Sequence, residues 1–360
     1  KAIAPLLVFF LVISSLCNAG KSHGGVIKTV IILYMFSTVL AAVIAVFASM
    51  AFPVKMTLAN AATDTSAPQG IVEVLNNLLL NVVANPVSSL VNANYVGILM
   101  WAVLLGLAFR AADKMTKKVL ADVADGISMV VTWIINLAPF GIFGLVFNTV
   151  STNGLDIFTT YGKLLLLLVG CMLFIYFVTN PLLVYWCIRQ NPYPLIFHCL
   201  KRSALTAFFT RSSAANIPVN MKVCEEMGLD RDTYSVTIPL GATINMDGAA
   251  ITITVMTMAT AFTLGIHVDI PTAIILSLLA ALSACGASGV AGGSLLLIPM
   301  ACSLFGISDD ISMQVVAVGF IIGVVQDSVE TALNSSSDLL LSASAEFRQW
   351  RLEGKEIKFK

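Results

Sequence analysis

Charged residues are scarce in this chain. Asp, Glu, Lys and Arg together make up 11% of its 360 residues, whereas soluble proteins have about 25%. Ala, Val, Ile, Leu, Met, Phe, Trp, Tyr and Cys make up 58%, and the mean hydropathy is +0.91. This composition excludes a water-soluble globular domain and predicts an all-α polytopic membrane protein.

Other scarcities exclude further classes. The formal net charge is zero, so there is no excess of basic residues for nucleic acid to bind. The three histidines are widely separated, and the seven cysteines form no C-x-x-C pair. Most of the cysteines lie in apolar runs as small core residues, which indicates neither a disulfide framework nor a metal centre. No cofactor and no catalytic residue are expected.

The N-terminal segment imitates a signal peptide. Lys1 supplies one positive charge, and an apolar run and then small residues follow up to Ala19. The chain has no initiating Met, however, and the next apolar run starts a few residues later. We favour the end of a membrane span in a truncated chain over a signal peptide.

Apolar stretches of about spanning length, roughly 20 residues, recur along the chain. They are Val26–Phe52, Val96–Phe109, Ile127–Val150, Leu164–Ile188, Tyr234–Leu264 and Ile311–Leu341. The second is short and follows a less regular stretch that Asn85-Pro86 interrupts. Two further regions, Pro194–Pro218 and Ile270–Phe305, have short apolar arms around polar or small residues. We expect each to be a re-entrant helical hairpin.

The distribution of Lys and Arg supports the hairpins. These residues alternate correctly between the two sides of the membrane only if each hairpin enters and leaves on the same side. One set of loops then holds nearly all of them: Lys21 and Lys28, Arg110 to Lys118, Arg189 to Arg202, Lys222 and Arg231, and Arg348 to Lys360. The other set holds Lys55 and Lys163. By the positive-inside rule the first set and the C-terminus are cytoplasmic.

The C-terminal region repeats one design, a hairpin with a small-residue tip followed by a span that polar residues interrupt. The first copy is Pro194–Pro218 with Tyr234–Leu264, and the second is Ile270–Phe305 with Ile311–Leu341. Because the hairpins open to opposite sides, the repeats are inverted, which is typical of transporters with a site at the membrane midplane. The alternative is two unrelated Gly/Ser kinks in packed helices.

Ionisable residues deep in a span are costly and usually functional. Asp247 lies halfway along its span, between Gly241 and Gly248, which weaken the helix and can free backbone carbonyls for a cation. The alternative is a kink at which Asp247 only caps the resumed helix.

Five polar residues of the last span are spaced 3, 1, 3 and 4 apart, which places them on one face of a helix. They are Asp327, Glu330, Thr331, Asn334 and Asp338. Such a stripe must face protein or a water-filled cavity. It forms either an ion-pair seam with the one deep cation, Arg211, or a binding site. Because Arg211 can pair with only one carboxylate, cations or a substrate ammonium group must balance part of the remaining charge.

The hairpin tips offer the opposite polarity. Ser212-Ser213 and Gly286–Gly289 can direct unpaired backbone N–H groups at a carboxylate. A ligand with both an ammonium and a carboxylate group suits this site, and that describes an α-amino acid.

On four motifs in this order, the chain resembles the dicarboxylate/amino acid:cation symporter family, which has the glutamate-transporter fold. They are Thr210-Arg211-Ser212-Ser213, Asn245-Met246-Asp247-Gly248, Gly286–Gly292 and the series from Asp327 to Asp338. The similarity covers essentially the whole chain and is greatest to sodium-coupled bacterial members that take serine and threonine. The resemblance implies that the chain begins inside the family's second transmembrane helix, so we expect the first helix to be missing from this sequence.

The resemblance implies a division of the chain. Scaffold and oligomerisation helices would occupy 1–20 and 71–155, and a transport core would occupy 21–55 and 160–347. The hairpins would lie at about 193–225 and 270–305, and a cytoplasmic tail at 348–360. It also implies a homotrimer, in contact with lipid, in the bacterial cell inner membrane.

The resemblance further implies site residues. Asp327 would take the substrate ammonium, and Asn334 and Ser213 the carboxylate. The substrate set as a whole is Ser212, Ser213, Gly289, Asp327, Glu330, Thr331 and Asn334. One sodium would bind Gly241, Asn245, Asn334 and Asp338; a second would bind Tyr34, Ser37, Thr38, Asn245 and Asp247; and a third would lie near Thr243, Met246, Ala284, Cys285 and Ala287.

Two departures from the family pattern bear on specificity. Members that take acidic substrates have Arg where this chain has Glu330. A carboxylate there should repel glutamate and aspartate and can accept a hydrogen bond from a serine or threonine hydroxyl. Pairing of Glu330 with Arg211 is the alternative. Ala287 stands where other members often have Thr, so the third sodium site would depend on backbone carbonyls.

We therefore expect a secondary active transporter, not an enzyme, that imports small neutral amino acids by alternating access. L-Serine and L-threonine are the first substrates, and sodium is the coupling ion. A proton-coupled amino acid or dicarboxylate symporter of the same fold is the nearest alternative. A channel would need a continuous polar pore lining. An intramembrane hydrolase with Asp247 and Asp327 or Asp338 as a carboxylate dyad would not explain the surplus of cation-binding groups.

Overall fold

The computed structural model describes residues 3–18, 25–58, 80, 83–92, 94–136, 147, 156–285 and 292–357. Within these ranges all regular secondary structure is helical. Four helical segments in them are long and apolar enough to cross a membrane: Gly25–Ala51, Tyr161–Ile188, Arg231–Thr263 and Asp309–Leu352. The expected all-α polytopic architecture is confirmed.

The described residues of the N-terminal part form five α-helices. They are α1 (Ala4–Asn18), α2 (Gly25–Ala51), α3 (Pro86–Val91), α4 (Tyr95–Ala108, extended by a 3₁₀ turn at Phe109–Ala111) and α5 (Lys114–Asn136). The predicted interruption at Asn85-Pro86 is a helix start. The Asn85 carboxamide oxygen accepts hydrogen bonds from the amides of Val87 and Ser88 at 2.9 and 3.2 Å, and Pro86 occupies the first turn, where no N–H is needed.

The next span and hairpin one follow in sequence. The span consists of α6 (Asp156–Phe174), a π turn (Ile175–Thr179) and α7 (Asn180–Ile188). The first arm of hairpin one consists of α8 (Tyr193–Cys199), a π turn (Leu200–Ala204) and α9 (Leu205–Thr210), and its second arm is α10 (Ser213–Glu226). At the tip Arg211 adopts a left-handed conformation with φ of 50°, and the Ser212 hydroxyl oxygen caps α10 by accepting from the Ala215 amide at 3.2 Å.

The first of the two repeated spans is broken, as predicted. It consists of α11 (Arg231–Ile244) and α12 (Asp247–Thr263), and Asn245 and Met246 form the non-helical link between them. Hairpin two has α13 (Ile270–Ala284) as its first arm and a 3₁₀ turn (Gly293–Leu297) with α14 (Ile298–Ser303) as its second. Of its predicted tip, Gly286–Gly292, only Gly292 is among the described residues.

The second repeated span is a single continuous helix. Helix α15 runs unbroken from Asp309 to Leu352, 44 residues, or about 66 Å at 1.5 Å per residue. Its polar residues interrupt the apolar pattern but not the backbone, because they lie on one face where neighbouring elements cover them. The Ser336 hydroxyl, for example, donates to the Ala332 carbonyl of the preceding turn at 2.5 Å.

The packing of the described helices forms two groups. Helix α1 packs on α4 and α5. Helix α2 packs on α12 and α13, and α15 is surrounded by both hairpins, α6, α7, α11 and α12. This places the broken helix and the polar face of α15 at the centre of the second group. Which segments form a scaffold and which move stays a prediction.

Candidate functional site

Four buried carboxylates meet where the broken helix α11/α12 contacts α15. Asp247 is fully buried, Asp338 is 1% exposed, and Asp327 and Glu330 are each 6% exposed. Three of the four come from one face of α15, as the spacing of the sequence predicts. Asp247 opens α12 directly after the helix break.

Asp247 receives two hydroxyl hydrogen bonds from α2. The Ser37 hydroxyl donates to its Oδ2 at 2.6 Å, and the Thr38 hydroxyl donates to its Oδ1 at 3.1 Å. The amide of Met246 donates to the Thr38 oxygen at 3.2 Å, which fixes the start of the break. The structure therefore brings together Ser37, Thr38 and Asp247, three members of the second predicted cation set. Tyr34, a fourth, donates instead to the main-chain oxygen of Asp338 at 2.8 Å.

Asp338 faces the other side of the helix break. Its Oδ1 accepts a hydrogen bond from the Asn245 Nδ2 at 2.9 Å, and the Asn245 Nδ2 also lies 3.4 Å from the Asn334 carbonyl oxygen. A Cβ atom on Gly241 would lie 2.8 Å from Asp338 Oδ1, so only glycine allows this close approach. All four residues of the first predicted cation set are thus adjacent.

Two oxygens in this set have no hydrogen-bond donor among the described residues. They are the Asn245 Oδ1 and the Asp338 Oδ2, and both are buried. A buried acceptor without a donor is costly. Carboxylate and amide oxygens are also the ligands that hard cations prefer. This pair can therefore be satisfied by a bound alkali-metal cation.

Asn334 connects the break to α15. Its Oδ1 accepts the Gly248 amide at 2.7 Å, and its Nδ2 lies 3.5 Å from the Met246 sulfur. Thr331 is buried on the same face. Ser213 is also buried, at the start of α10. The Ser212 hydroxyl oxygen, in contrast, caps α10 at the hairpin tip.

Arg211 lies beside Asp327 and not beside Glu330. Its Nη1 is 3.9 Å from the Asp327 Oδ2, and the Gly292 amide donates to Oδ1 of the same carboxylate at 3.3 Å. Through these two contacts Asp327 connects α15 to the tip of hairpin one and to the end of the hairpin-two tip. Among the described residues, the carboxylates of Asp247, Glu330 and Asp338 have no basic partner.

Glu330 is held by three donors on one oxygen. Its Oε2 accepts from the Thr252 hydroxyl at 2.7 Å, the Ser294 hydroxyl at 2.9 Å and the Gln326 Nε2 at 2.5 Å. Gln326 also donates to the Thr252 oxygen at 2.8 Å. The described residues give no hydrogen bond to Oε1. One oxygen of Glu330 therefore fixes the side chain, and the other remains available as an acceptor.

The third predicted cation set is only partly described. The Cys285 Sγ lies 3.7 Å from the Ile244 carbonyl oxygen, so the first arm of hairpin two ends against the helix break. The Thr243 hydroxyl donates to Leu240 in its own helix at 2.7 Å. Met246 and Ala284 are buried nearby in the core. Ala287, and Gly289 of the substrate set, lie outside the described residues.

Sequence reasoning missed Thr252, Ser294 and Gln326. A sequence signal for Gln326 existed, since it stands four residues before Glu330 on the same predicted helix. In the structure it is fully buried. Thr252 and Ser294 are distant in sequence and common in type, so no local pattern distinguishes them from packing residues.

The broken helix, the two hairpins and the buried carboxylates define a class of protein, a secondary transporter with its site at a helix discontinuity. The sequence comparison agrees. The chain belongs to the sodium:dicarboxylate symporter family, whose sequence profile matches residues 1–346. This confirms the resemblance inferred from the four motifs and makes the protein a transporter, not an enzyme.

A curated relative is similar over nearly the full length of this chain. The chain is 60% identical over 358 residues to a protein of Bifidobacterium adolescentis named serine/threonine transporter SstT. The match covers 99% of this chain and 83% of that protein.

Proposed function

We propose that this protein imports serine and threonine by sodium symport. The observation that carries the proposal is the charge imbalance of the site, in which four buried carboxylates face one arginine among the residues that the structure describes. Uncompensated charge in a membrane interior is costly, so the site favours ligands that bring positive charge. A zwitterionic amino acid and sodium ions supply it together.

The substrate is placed by the groups around Asp327. Its carboxylate is the acceptor for the substrate ammonium, near the tips of both hairpins. Asn334, the buried Ser213 and the main chain of the tips, including Gly289, are the groups for the substrate carboxylate. This assignment leaves the substrate side chain directed at Glu330, three residues further along α15, with Thr331 beside it.

Glu330 sets the preference for hydroxyl side chains. Its Oε2 accepts hydrogen bonds from Thr252, Ser294 and Gln326. Its Oε1 can accept a hydrogen bond from a substrate hydroxyl. An acidic substrate would bring a second carboxylate against it in a desolvated site, which costs several kcal/mol. The separation of Glu330 from Arg211, which lies at Asp327, leaves this negative charge in place.

Two sodium ions bind at the helix break. One is held by the carbonyl of Gly241 with Asn245, Asn334 and Asp338, where two acceptor oxygens have no donor among the described residues. The other is held by Asp247 with Ser37, Thr38, Asn245 and Tyr34, after the hydroxyl protons turn away from the carboxylate. A third ion, under hairpin two near Thr243, Met246, Ala284, Cys285 and Ala287, would depend on main-chain carbonyls.

The protein works in the bacterial inner membrane with its C-terminus in the cytoplasm, as the distribution of Lys and Arg indicates. Hairpin two closes over the filled site, and the core that carries both hairpins moves against the scaffold, within a homotrimer. Coupling follows because the carboxylates are too costly to move across the membrane unneutralised.

Uptake by proteoliposomes tests this proposal. Labelled serine is offered under an inward sodium gradient, an equal potassium gradient and an inward proton gradient. We expect uptake with sodium alone, competed by threonine and not by aspartate. Uptake that follows the proton gradient and ignores sodium would contradict the ion assignment, and absence of uptake by folded protein would contradict the substrate assignment.

Replacement of Glu330 tests the origin of the specificity. Glu330→Arg should weaken serine binding and admit aspartate, because the positive charge attracts the second carboxylate that Glu330 repels. Competition of labelled serine binding by unlabelled aspartate measures the change. An unaltered ranking of serine, threonine and aspartate in the folded variant would remove Glu330 from the specificity argument.

A further inference from the structure

An apolar groove lies between the end of α2 and the part of α6 from Lys163 to Phe174. Its volume is about 820 Å³. Phe47 and Phe52 on one wall and Leu166 and Phe174 on the other are 53, 69, 72 and 47% exposed. Among the described residues that line the groove, Lys163 is the one that carries a charge.

The length of the groove matches one leaflet of a bilayer. Its α6 wall extends from Lys163 to Phe174, which is 12 residues with a rise of about 16 Å. That is about half of the roughly 30 Å hydrocarbon core. Since α6 starts at Asp156, the Lys163 end lies towards one membrane surface and the Phe174 end towards the midplane.

Two exposed lysines belong to the lining of the groove or directly follow a lining residue. Lys163 is exposed at the rim, and Lys55 is exposed directly after Val54, another lining residue. By the positive-inside rule these two lysines lie on the same side of the membrane, opposite the basic loops. An apolar groove about as long as one leaflet, with lysines near one end, complements a molecule that has a hydrocarbon chain and an anionic head.

We propose that this groove is a binding site for an anionic phospholipid. One acyl chain lies between α2 and α6, and the headgroup phosphate is held by Lys163 with Lys55. None of the lining residues belongs to the proposed substrate or sodium sites, so the inference is independent of the transported substrate.

Photolabelling tests the site. The purified protein is reconstituted in phosphatidylcholine with a trace of phosphatidylglycerol that carries a diazirine in its acyl chain, and labelled peptides are mapped by mass spectrometry. We expect labelling of the α6 segment from Lys163 to Phe174 and of the end of α2. Unlabelled phosphatidylglycerol should compete for this labelling, and added phosphatidylcholine should not.

Two glycines of α6 provide a matched pair of variants. A Cβ atom on either Gly162 or Gly170 meets no atom within 4 Å, but only Gly170 lines the groove. Gly170→Phe should fill the groove and abolish its labelling, whereas Gly162→Phe should label like the wild type. Lys163→Gln should weaken phosphatidylglycerol competition about fivefold, the effect of one lysine near an anionic lipid, and Lys163→Arg should preserve it.

Three results would overturn the proposal. Equal competition by phosphatidylcholine would show a lipid contact without a site for the anionic head. Unchanged labelling in Gly170→Phe would place the lipid elsewhere. Cross-linking of a Leu166→Cys variant to another segment of this chain or to a second copy would show that protein occupies the groove. Serine uptake is measured in parallel, so that a loss of labelling in a folded, active variant is attributed to the groove.

Discussion

At the scale of single residues, the balance of charge around Asp327 is the critical feature. Asp327 is buried, yet its basic partner Arg211 is 41% exposed and lies 3.9 Å away, at the limit of an ion pair. Water therefore screens the attraction, and Arg211 compensates Asp327 only in part. A substrate ammonium group placed against Asp327 replaces this weak contact with a close, desolvated one.

Removal of the Asp327 charge should weaken amino acid binding strongly. Asp327→Asn keeps the size of the side chain but not its charge, and loss of one partner of a buried ion pair costs on the order of 2–5 kcal/mol. Serine affinity, measured by calorimetry, should fall at least about 30-fold. Asp310→Asn, at the exposed start of the same helix, is the control. Unchanged affinity in Asp327→Asn would remove this residue from the site.

Thr252 is a positioning residue for Glu330. Thr252→Val removes a hydroxyl donor at nearly constant volume and frees Glu330 to turn from its fixed orientation. We expect serine affinity to fall by roughly 10- to 150-fold, since a hydrogen bond to a charged group is worth about 1.5–3 kcal/mol. Alanine affinity should fall less, because alanine has no hydroxyl to place.

The matched control for this change is Thr260→Val on the same helix. The Thr260 hydroxyl donates to the Met256 carbonyl of its own helix at 2.7 Å and has no contact with Glu330. If Thr252→Val weakens serine and alanine equally, the role of Thr252 is general packing and not the placement of Glu330.

At the scale of elements, the break between α11 and α12 determines the geometry of the proposed sodium sites. The break exposes main-chain groups, and Asp247 and Asp338 lie on its two sides. Gly241 allows the approach of α15, since a Cβ there would lie 2.8 Å from Asp338 Oδ1 and 2.9 Å from the Tyr34 hydroxyl oxygen. The backbone is thus as important to these sites as the carboxylates.

Gly241→Ala should therefore weaken sodium binding. The added methyl group forces Asp338 and Tyr34 apart, and overpacking of this kind costs about 1–3 kcal/mol. The half-saturating sodium concentration for serine binding should rise about fivefold or more. Gly323→Ala on α15, where a Cβ meets no atom within 4 Å, should leave it unchanged. An equal effect of both substitutions, or of neither, would contradict this role of Gly241.

Local sequence predicted these elements well where one segment determines its own shape. The polar Asn245-Met246-Asp247-Gly248 motif within an apolar run indicated the helix break, and the spacing from Asp327 to Asp338 indicated one shared helical face. The polar residues that interrupt the apolar pattern of α15 do not break its backbone, because neighbouring helices bury its polar face. The donors to Glu330 were missed because tertiary packing alone brings Thr252 and Ser294 to it.

At the scale of the whole molecule, the proposed coupling is electrostatic. Arg211 is the one basic partner that the described residues offer the four carboxylates, so substrate and sodium each reduce the charge that the other must neutralise. Linkage then requires that sodium raise the affinity for serine and that serine raise the affinity for sodium by the same factor. Neither ligand alone completes the neutralisation that movement across the membrane requires.

The dependence of serine affinity on sodium tests this account most directly. Serine binding to the purified protein is measured by calorimetry at a series of sodium concentrations, with choline chloride holding the ionic strength constant. The account predicts that the dissociation constant falls steadily as sodium rises towards saturation, and that choline alone gives little binding. An equal serine affinity in sodium and in choline would contradict it, because the carboxylates would then not join the two ligands in one site.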